Sequence, residues 1–180
     1  MQSDTKLPAY IKDFIPNGQK YITNIRRHII GLVYIYLIIL AAVAALVMLA
    51  VMTAPDLRES ISGEGFSMLS IVVILFIALL LLVLVLVTNI YMHNRMIITD
   101  KEIIQVLQRG VFQVKSSHLS HGDIEDVTSE QNGLLQTIFN YGTLNIETSG
   151  ELKNFVFSYC PDPSRYARIV LEARHASNGN

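Results

Sequence analysis

Residues 118–123 read His-Leu-Ser-His-Gly-Asp and offer two imidazoles and a carboxylate, donor types that a divalent metal accepts. The rest of the chain supplies no matching ligand, so His118, His121 and Asp123 read as polar loop residues. Just downstream, Asp123, Glu125, Asp126 and Glu130 are the residue types of paired acid–base catalysis. No nucleophile or partner base accompanies them, and they read as the solvated face of a strand. Cys160 is the only cysteine. An intrachain disulfide and a cysteine zinc site are therefore excluded, and no clear activating group flanks the thiol. The sequence has no Gly-x-Ser-x-Gly elbow and no glycine-rich phosphate loop. The reading is of a protein that is not an enzyme, with no catalytic, cofactor or metal site.

Whatever these residues do is set by where the chain carries them. Hydrophobic residues make up 51% of its 180 residues and charged ones 16%, against about 25% charged in ordinary globular proteins. The apolar excess lies in two runs, Ile29 to Met52 and Met68 to Ile90, and neither contains a charged residue. The first, as a helix, would rise about 36 Å, enough to cross a hydrocarbon core of about 30 Å. Between them, Thr53 to Phe66 carries Pro55, Gly63 and Gly65 and reads as a turn between antiparallel helices. Lys6, Lys12, Lys20, Arg26 and Arg27 precede the first run, Arg58 alone lies between the runs, and Arg95 and Lys101 follow. By the positive-inside rule both termini are expected in the cytoplasm. Spans without an ionisable residue hold no proton relay or ion site, which favours an anchor over a transporter. The net charge of −1 gives no footprint for nucleic acid.

From Arg95 the pattern changes. Met96 to Thr99, Glu102 to Gln108 and Val111 to Ser116 read as strands, with turns at Asp100-Lys101 and at Arg109-Gly110, where glycine would tolerate a positive φ. The second of these is apolar on both faces, through Ile103 and Leu107 on one and Ile104 and Val106 on the other. One face would pack inward while the other meets helices or another subunit. Leu134, Leu135, Ile138 and Phe139 make one apolar face of a short helix. An Asn140-Tyr141-Gly142 corner follows, with a positive φ expected at the glycine, and then a strand in which Leu144, Ile146 and Thr148 alternate with polar residues. Ser149-Gly150 turns into a strand through Phe155, Phe157 and Tyr159. Asp162 is placed to cap a last helix that begins at Pro163 and carries a stripe of Tyr166, Ile169, Val170 and Ala173. The expected fold is an antiparallel barrel or roll capped by that helix.

Four segments carry a resemblance: IPNGQKYITNIRRHIIGL, NRMIITDKEIIQVLQRGVF, HLSHGDIEDVTSEQNGLLQTIFNYGTLNIET and CPDPSRYARIVLEAR. Together they resemble bacterial membrane proteins with a two-helix hairpin and a pleckstrin-homology-like (PH-like) domain. Gln19 departs from the pattern, standing where the family often has an acidic residue, and the first span has no tryptophan nearby. The implied organisation is a basic cytoplasmic segment 1–28, spans 29–52 and 68–90, and an external loop 53–67. A PH-like domain over 95–175 and a disordered tail 176–180 complete it.

Such domains suggest phosphoinositide binding, which needs several cations around the first hairpin. Here Lys101 is flanked by Asp100 and Glu102, and from Arg95 onward eight bases face ten acids, a net of −2. This argues against specific phosphoinositide recognition. The reading adopted is a bilayer-integral scaffold of the bacterial cytoplasmic membrane, acting through homo-oligomerisation or a protein partner. An accessory role in a transport or envelope-stress system stands second, and a lipid-sensing module third.

Overall fold

The computed structural model describes residues 14–60, 63–149 and 154–178. The chain divides into two units, Ile29–Asn89 and a second made of Met1–His28 with Ile90–Asn180.

The first unit is a pair of helices, α1 (Ile30–Ser60) and α2 (Gly63–His93), the latter ending inside the second unit. Two stretches, Ile30–Thr53 and Ser67–His93, are long and apolar enough to cross a membrane. Most of their side chains, such as Ile38 and Met68 at 70% exposure, are not covered by protein, although Leu32 near the start of α1 and Tyr91 near the end of α2 are buried. The hydroxyls of Tyr36 and Thr88 meet at 2.7 Å and tie the two helices together. The turn expected over Thr53–Phe66 is shorter than its composition suggested, because helix continues through Pro55 to Ser60 and resumes at Gly63. A proline removes one backbone donor, and the Asp-Leu-Arg-Glu-Ser run that follows lets the helix resume its ladder.

In the second unit, β1 (Tyr21–Arg26), β2 (Arg95–Thr99), β3 (Glu102–Gln108) and β4 (Val114–Ser120) form an antiparallel sheet in that order. A 3-10 turn at His121–Asp123 leads to a second antiparallel sheet, β5 (Ile124–Glu130), β6 (Tyr141–Thr148) and β7 (Phe155–Pro161). The short helix α3 (Leu134–Ile138) joins β5 to β6, and α4 (Pro163–Asn178) closes the unit. These sheets do not close into the expected barrel. Each stays open, and the 3-10 turn separates β4 from β5 where closure would need a ladder.

The main core lies between the sheets and α4. Ile25, Met96, Ile98 and Ile103 of the first sheet join Leu144, Ile146 and Phe157 of the second, with Val170 of the helix. Each such side chain contributes about 1.5–3 kcal/mol on burial. Asp162 caps α4 as expected, its carboxylate accepting the Arg165 N–H at 3.3 Å. The helix continues through Ala176 and Ser177 to Asn178, in place of the disordered tail expected from 176; residues 179–180 lie outside the described residues.

Several local expectations are corrected. The segment before the first span is not only a basic leader: β1 belongs to the first sheet, paired with β2. A domain drawn from residue 95 therefore omits a strand. The third expected strand starts at Val114, because Arg109 N–H donates to the Gln113 carbonyl at 2.9 Å and closes a wider tip. Gly110 is not at positive φ, and neither is Gly142; at the corner Asn140 takes that conformation, at φ 49°. Gly142 is required for another reason. A Cβ there would collide with the Glu130 carbonyl oxygen and come within 2.9 Å of Gln131 Cγ.

Candidate functional site

His28 ends the stretch that leads from β1, and Tyr91 lies two residues past Asn89, the last residue of the helical unit. Both belong to the β-rich unit, and aromatic contacts gather around them. The His28 ring stacks on Tyr141 at 5.4 Å, Tyr141 stacks on Tyr159 at 6.0 Å, and Tyr91 meets Tyr159 edge-on at 6.3 Å. Hydrogen bonds lock the same residues: His28 N–H donates to the Tyr159 carbonyl at 2.6 Å, and the Tyr91 hydroxyl donates to the His28 carbonyl at 2.7 Å. The guanidinium of Arg27 lies 5.7 Å over the Tyr91 ring, within range of cation–π attraction. Tyr159 and Asp162 hold positive φ, at 56° and 43°, and Asp162 N–H donates to the Asn140 carbonyl at 2.8 Å. Non-glycine residues in this region cost on the order of 1–3 kcal/mol each, so the surrounding bonds are what maintain them.

The same end of the unit is basic. Arg26 and Arg95 are partners across the β1–β2 ladder. With Phe14, Met92, His93 and Val106 they help to line a cavity of about 410 Å³. Arg95 is buried to 7% exposure, its Nε donating to the His93 carbonyl at 3.2 Å. Two guanidiniums and an imidazole around one cavity can hold an anionic group.

The residues singled out in the sequence are dispersed. His118 sits on β4 with Nδ1 3.2 Å from a Glu102 carboxylate oxygen. His121 is fully buried in the 3-10 turn, with Nε2 2.8 Å from the Thr99 carbonyl. That contact puts the proton on Nε2. His121 is thus a structural bridge rather than a loop residue, while Asp123 is exposed and receives the Ser149 N–H on its backbone carbonyl. Asp123, Glu125, Asp126 and Glu130 are all exposed, and Asp126 turns its carboxylate onto Val127 N–H and Thr128. Cys160 is fully buried, and burial, helped by the Asp162 carboxylate, pushes its thiol up to about 12. A thiol held protonated is a poor nucleophile.

The Lys101 turn serves folding. Asp100 accepts the Lys20 N–H at 2.8 Å, and Glu102 accepts from the Gln19 amide at 2.8 Å. Gln19 Oε1 in turn accepts from the Thr99 hydroxyl at 2.9 Å. An amide can do both at once, whereas a carboxylate would face Glu102 as a like charge. The departure at position 19 therefore has a physical reason.

The second apolar face of β3 is not open to a neighbour. Ile97, Ile104 and Val106 are covered by Phe14, Ile15 and Tyr21. Exposed apolar side chains lie elsewhere. In α3 and the residue after it, Leu134, Leu135, Ile138 and Phe139 are all exposed, and Phe112 at the β3–β4 tip is 96% exposed. The sequence reading located the α3 face but not its exposure. The aromatic junction escaped it because its rings come from four separate segments.

Comparison with known proteins adds a family. A family model described as "Bacterial PH domain" matches residues 27–174. Among solved structures, the chain is similar to a DUF1696 family protein with a pleckstrin-homology domain from Shewanella loihica PV-4. The identity is 16% and the TM-score 0.38, over 45% of this chain and 70% of that one. No curated protein matches.

Proposed function

This chain belongs to the bacterial PH domain family, and from that premise we propose that it is a membrane-anchored interaction module without catalytic activity. The two apolar helices span the cytoplasmic membrane as a hairpin, and the PH-like unit works at the cytoplasmic face by contact with protein. A second copy or another membrane-associated protein is the partner.

One observation carries the anchoring. β1 precedes α1 and β2 follows α2, yet they pair residue by residue from Thr23 with Ile98 to Arg26 with Arg95. A chain that crosses a bilayer and then completes the same sheet must cross back, which fits two spans and the positive-inside bias of Lys20, Arg26 and Arg27. Protein contact is favoured over phosphoinositide recognition because Asp100 and Glu102, the acids flanking Lys101, are committed to internal bonds with Lys20 and Gln19.

Carbonate extraction, topology tags and in-membrane crosslinking test this together. The protein should stay in the membrane pellet. Tags before Met1 and after Asn180 should be shielded in intact cells, while one between Ser60 and Gly65 should be reached from outside. Crosslinking should capture a protein neighbour, including another copy. Release by carbonate, or labelling of either terminus from outside, would overturn the anchoring.

A further inference from the structure

Two apolar elements of the PH-like unit stand in the open at one end of it. The β3–β4 tip carries Phe112 at 96% exposure beside Val111, and α3 carries Leu134 at 75% and Ile138 at 63%. The tip is closed by Arg109 N–H on the Gln113 carbonyl, and α3 buries no residue.

Register fixes where they lie. The row Arg26–Arg95–Val106–Ser116 crosses the first sheet where β1 ends and β2 begins. Gln108 pairs with Val114 two residues beyond that row, and the tip extends further in the same direction. In the second sheet, α3 leads into Tyr141, whose ring stacks on His28. Tip and α3 therefore share the end from which the chain leaves β1 and at which it re-enters β2.

Charge is sorted along the same axis. Arg26, Arg27, Arg95, Arg109 and Lys115 lie at this end, against Glu130 and Asp162. Asp100, Glu102 and Asp123 lie at the other end, against Lys20 and Lys101. The net acidity of the unit thus conceals a basic pole.

We infer that this pole is a bilayer-contact surface, in which Val111, Phe112, Leu134 and Ile138 enter the lipid interface while the exposed bases Arg26, Arg109 and Lys115 meet anionic headgroup phosphates. The inference rests on the membrane-anchored reading above and gives the PH-like unit a lipid partner in addition to protein. The occupant follows from the chain itself. The apolar elements lie at the end where the chain departs into and returns from segments long enough to span a bilayer, and bases ringing apolar side chains are the pattern of interfacial attachment.

The test uses the full chain with Cys160→Ala, reconstituted into nanodiscs holding one copy each. Single cysteines replace Phe112, Ile138 or, as a control at the opposite end, Lys101, and each is labelled with an environment-sensitive fluorophore. The labels at 112 and 138 should shift to the blue and be quenched by lipids with a nitroxide high on the acyl chain, more strongly with phosphatidylglycerol than with phosphatidylcholine alone. The label at 101 should remain in water. Labels at 112 and 138 that stay in water, on a protein that resists carbonate, would overturn the inference and leave the anchor intact. Shielding that appears only in discs with several copies would also overturn it and assign the surface to a second copy. Release of the protein by carbonate would instead defeat the anchored reading, and this inference with it.

Discussion

Arg26 lies opposite Arg95 in the β1–β2 ladder, although both apolar helices separate them in the chain. The sheet is therefore completed by segments on both sides of the helical pair in the chain, and β1 contributes Ile25 to the main core at 0% exposure. Ile25→Ala should destabilise the protein by about 2–5 kcal/mol, the usual range for a core truncation that leaves a cavity. Thermal unfolding in detergent measures this. A neutral result would mean that β1 contributes nothing to the fold.

Gln19 bridges Glu102 and the Thr99 hydroxyl, donating to one and accepting from the other. Gln19→Glu should lose the first bond and set two carboxylates side by side, at a cost of about 1–3 kcal/mol. Pairing it with Glu102→Gln should recover most of the loss. If the double variant is no better than the single one, the bridge is not what holds this corner.

At Gly142 a side chain has no room, since the Glu130 carbonyl oxygen occupies the Cβ position. Gly142→Ala should cost about 1–3 kcal/mol by overpacking. Gly110 has nothing within 4 Å and no positive φ. Gly110→Ala should be close to neutral. Equal melting temperatures for the two variants would refute the steric account.

Stability should also fall in alkali. Burial raises the Cys160 thiol to about 12 and, as the largest cause, also raises Tyr166. An acid whose folded pKa is raised favours folding while it is protonated. That contribution is full below the ordinary thiol range and is lost as the unfolded chain ionises above it. Between about pH 9 and 12 the Cys160 thiol lowers stability by at most about 1.4 kcal/mol per pH unit. Denaturant midpoints measured across that range should decline, and Cys160→Ala should flatten the decline. A slope unchanged in that variant would remove the cysteine from the account.

Much of this fold is written in local pattern. Alternation located β6 through Leu144 and Ile146, and the Asp162-Pro163 pair located the start of α4. Non-local pairing was harder to read. Tyr21–Arg26 has neither a hydrophobic run nor a neighbouring hairpin to reveal it as a strand, because its partner lies beyond the helices. His121 likewise has an ordinary loop sequence, and only the approach of the Thr99 carbonyl makes it structural. The aromatic junction is a third case, since no spacing rule links His28, Tyr91, Tyr141 and Tyr159.

Ile104 and Val106, the second apolar face of β3, invite an oligomer interface, and on that view a charge there would separate subunits without unfolding them. The face is in fact filled by Phe14, Ile15 and Tyr21, leaving Ile104 at 0% and Val106 at 4% exposure. A charge at Ile104 would be buried among Ile97, Phe14, Ile15 and Tyr21, a cost that folding cannot absorb at ordinary stability. Ile104→Glu should therefore unfold the PH-like unit, seen as lost secondary structure and protease sensitivity, and Phe14→Ala should loosen it to a smaller degree. By contrast, Phe112→Asp at the exposed tip should leave folding unchanged. A folded Ile104→Glu protein of reduced oligomeric mass would restore the interface reading and displace the N-terminal residues from that face.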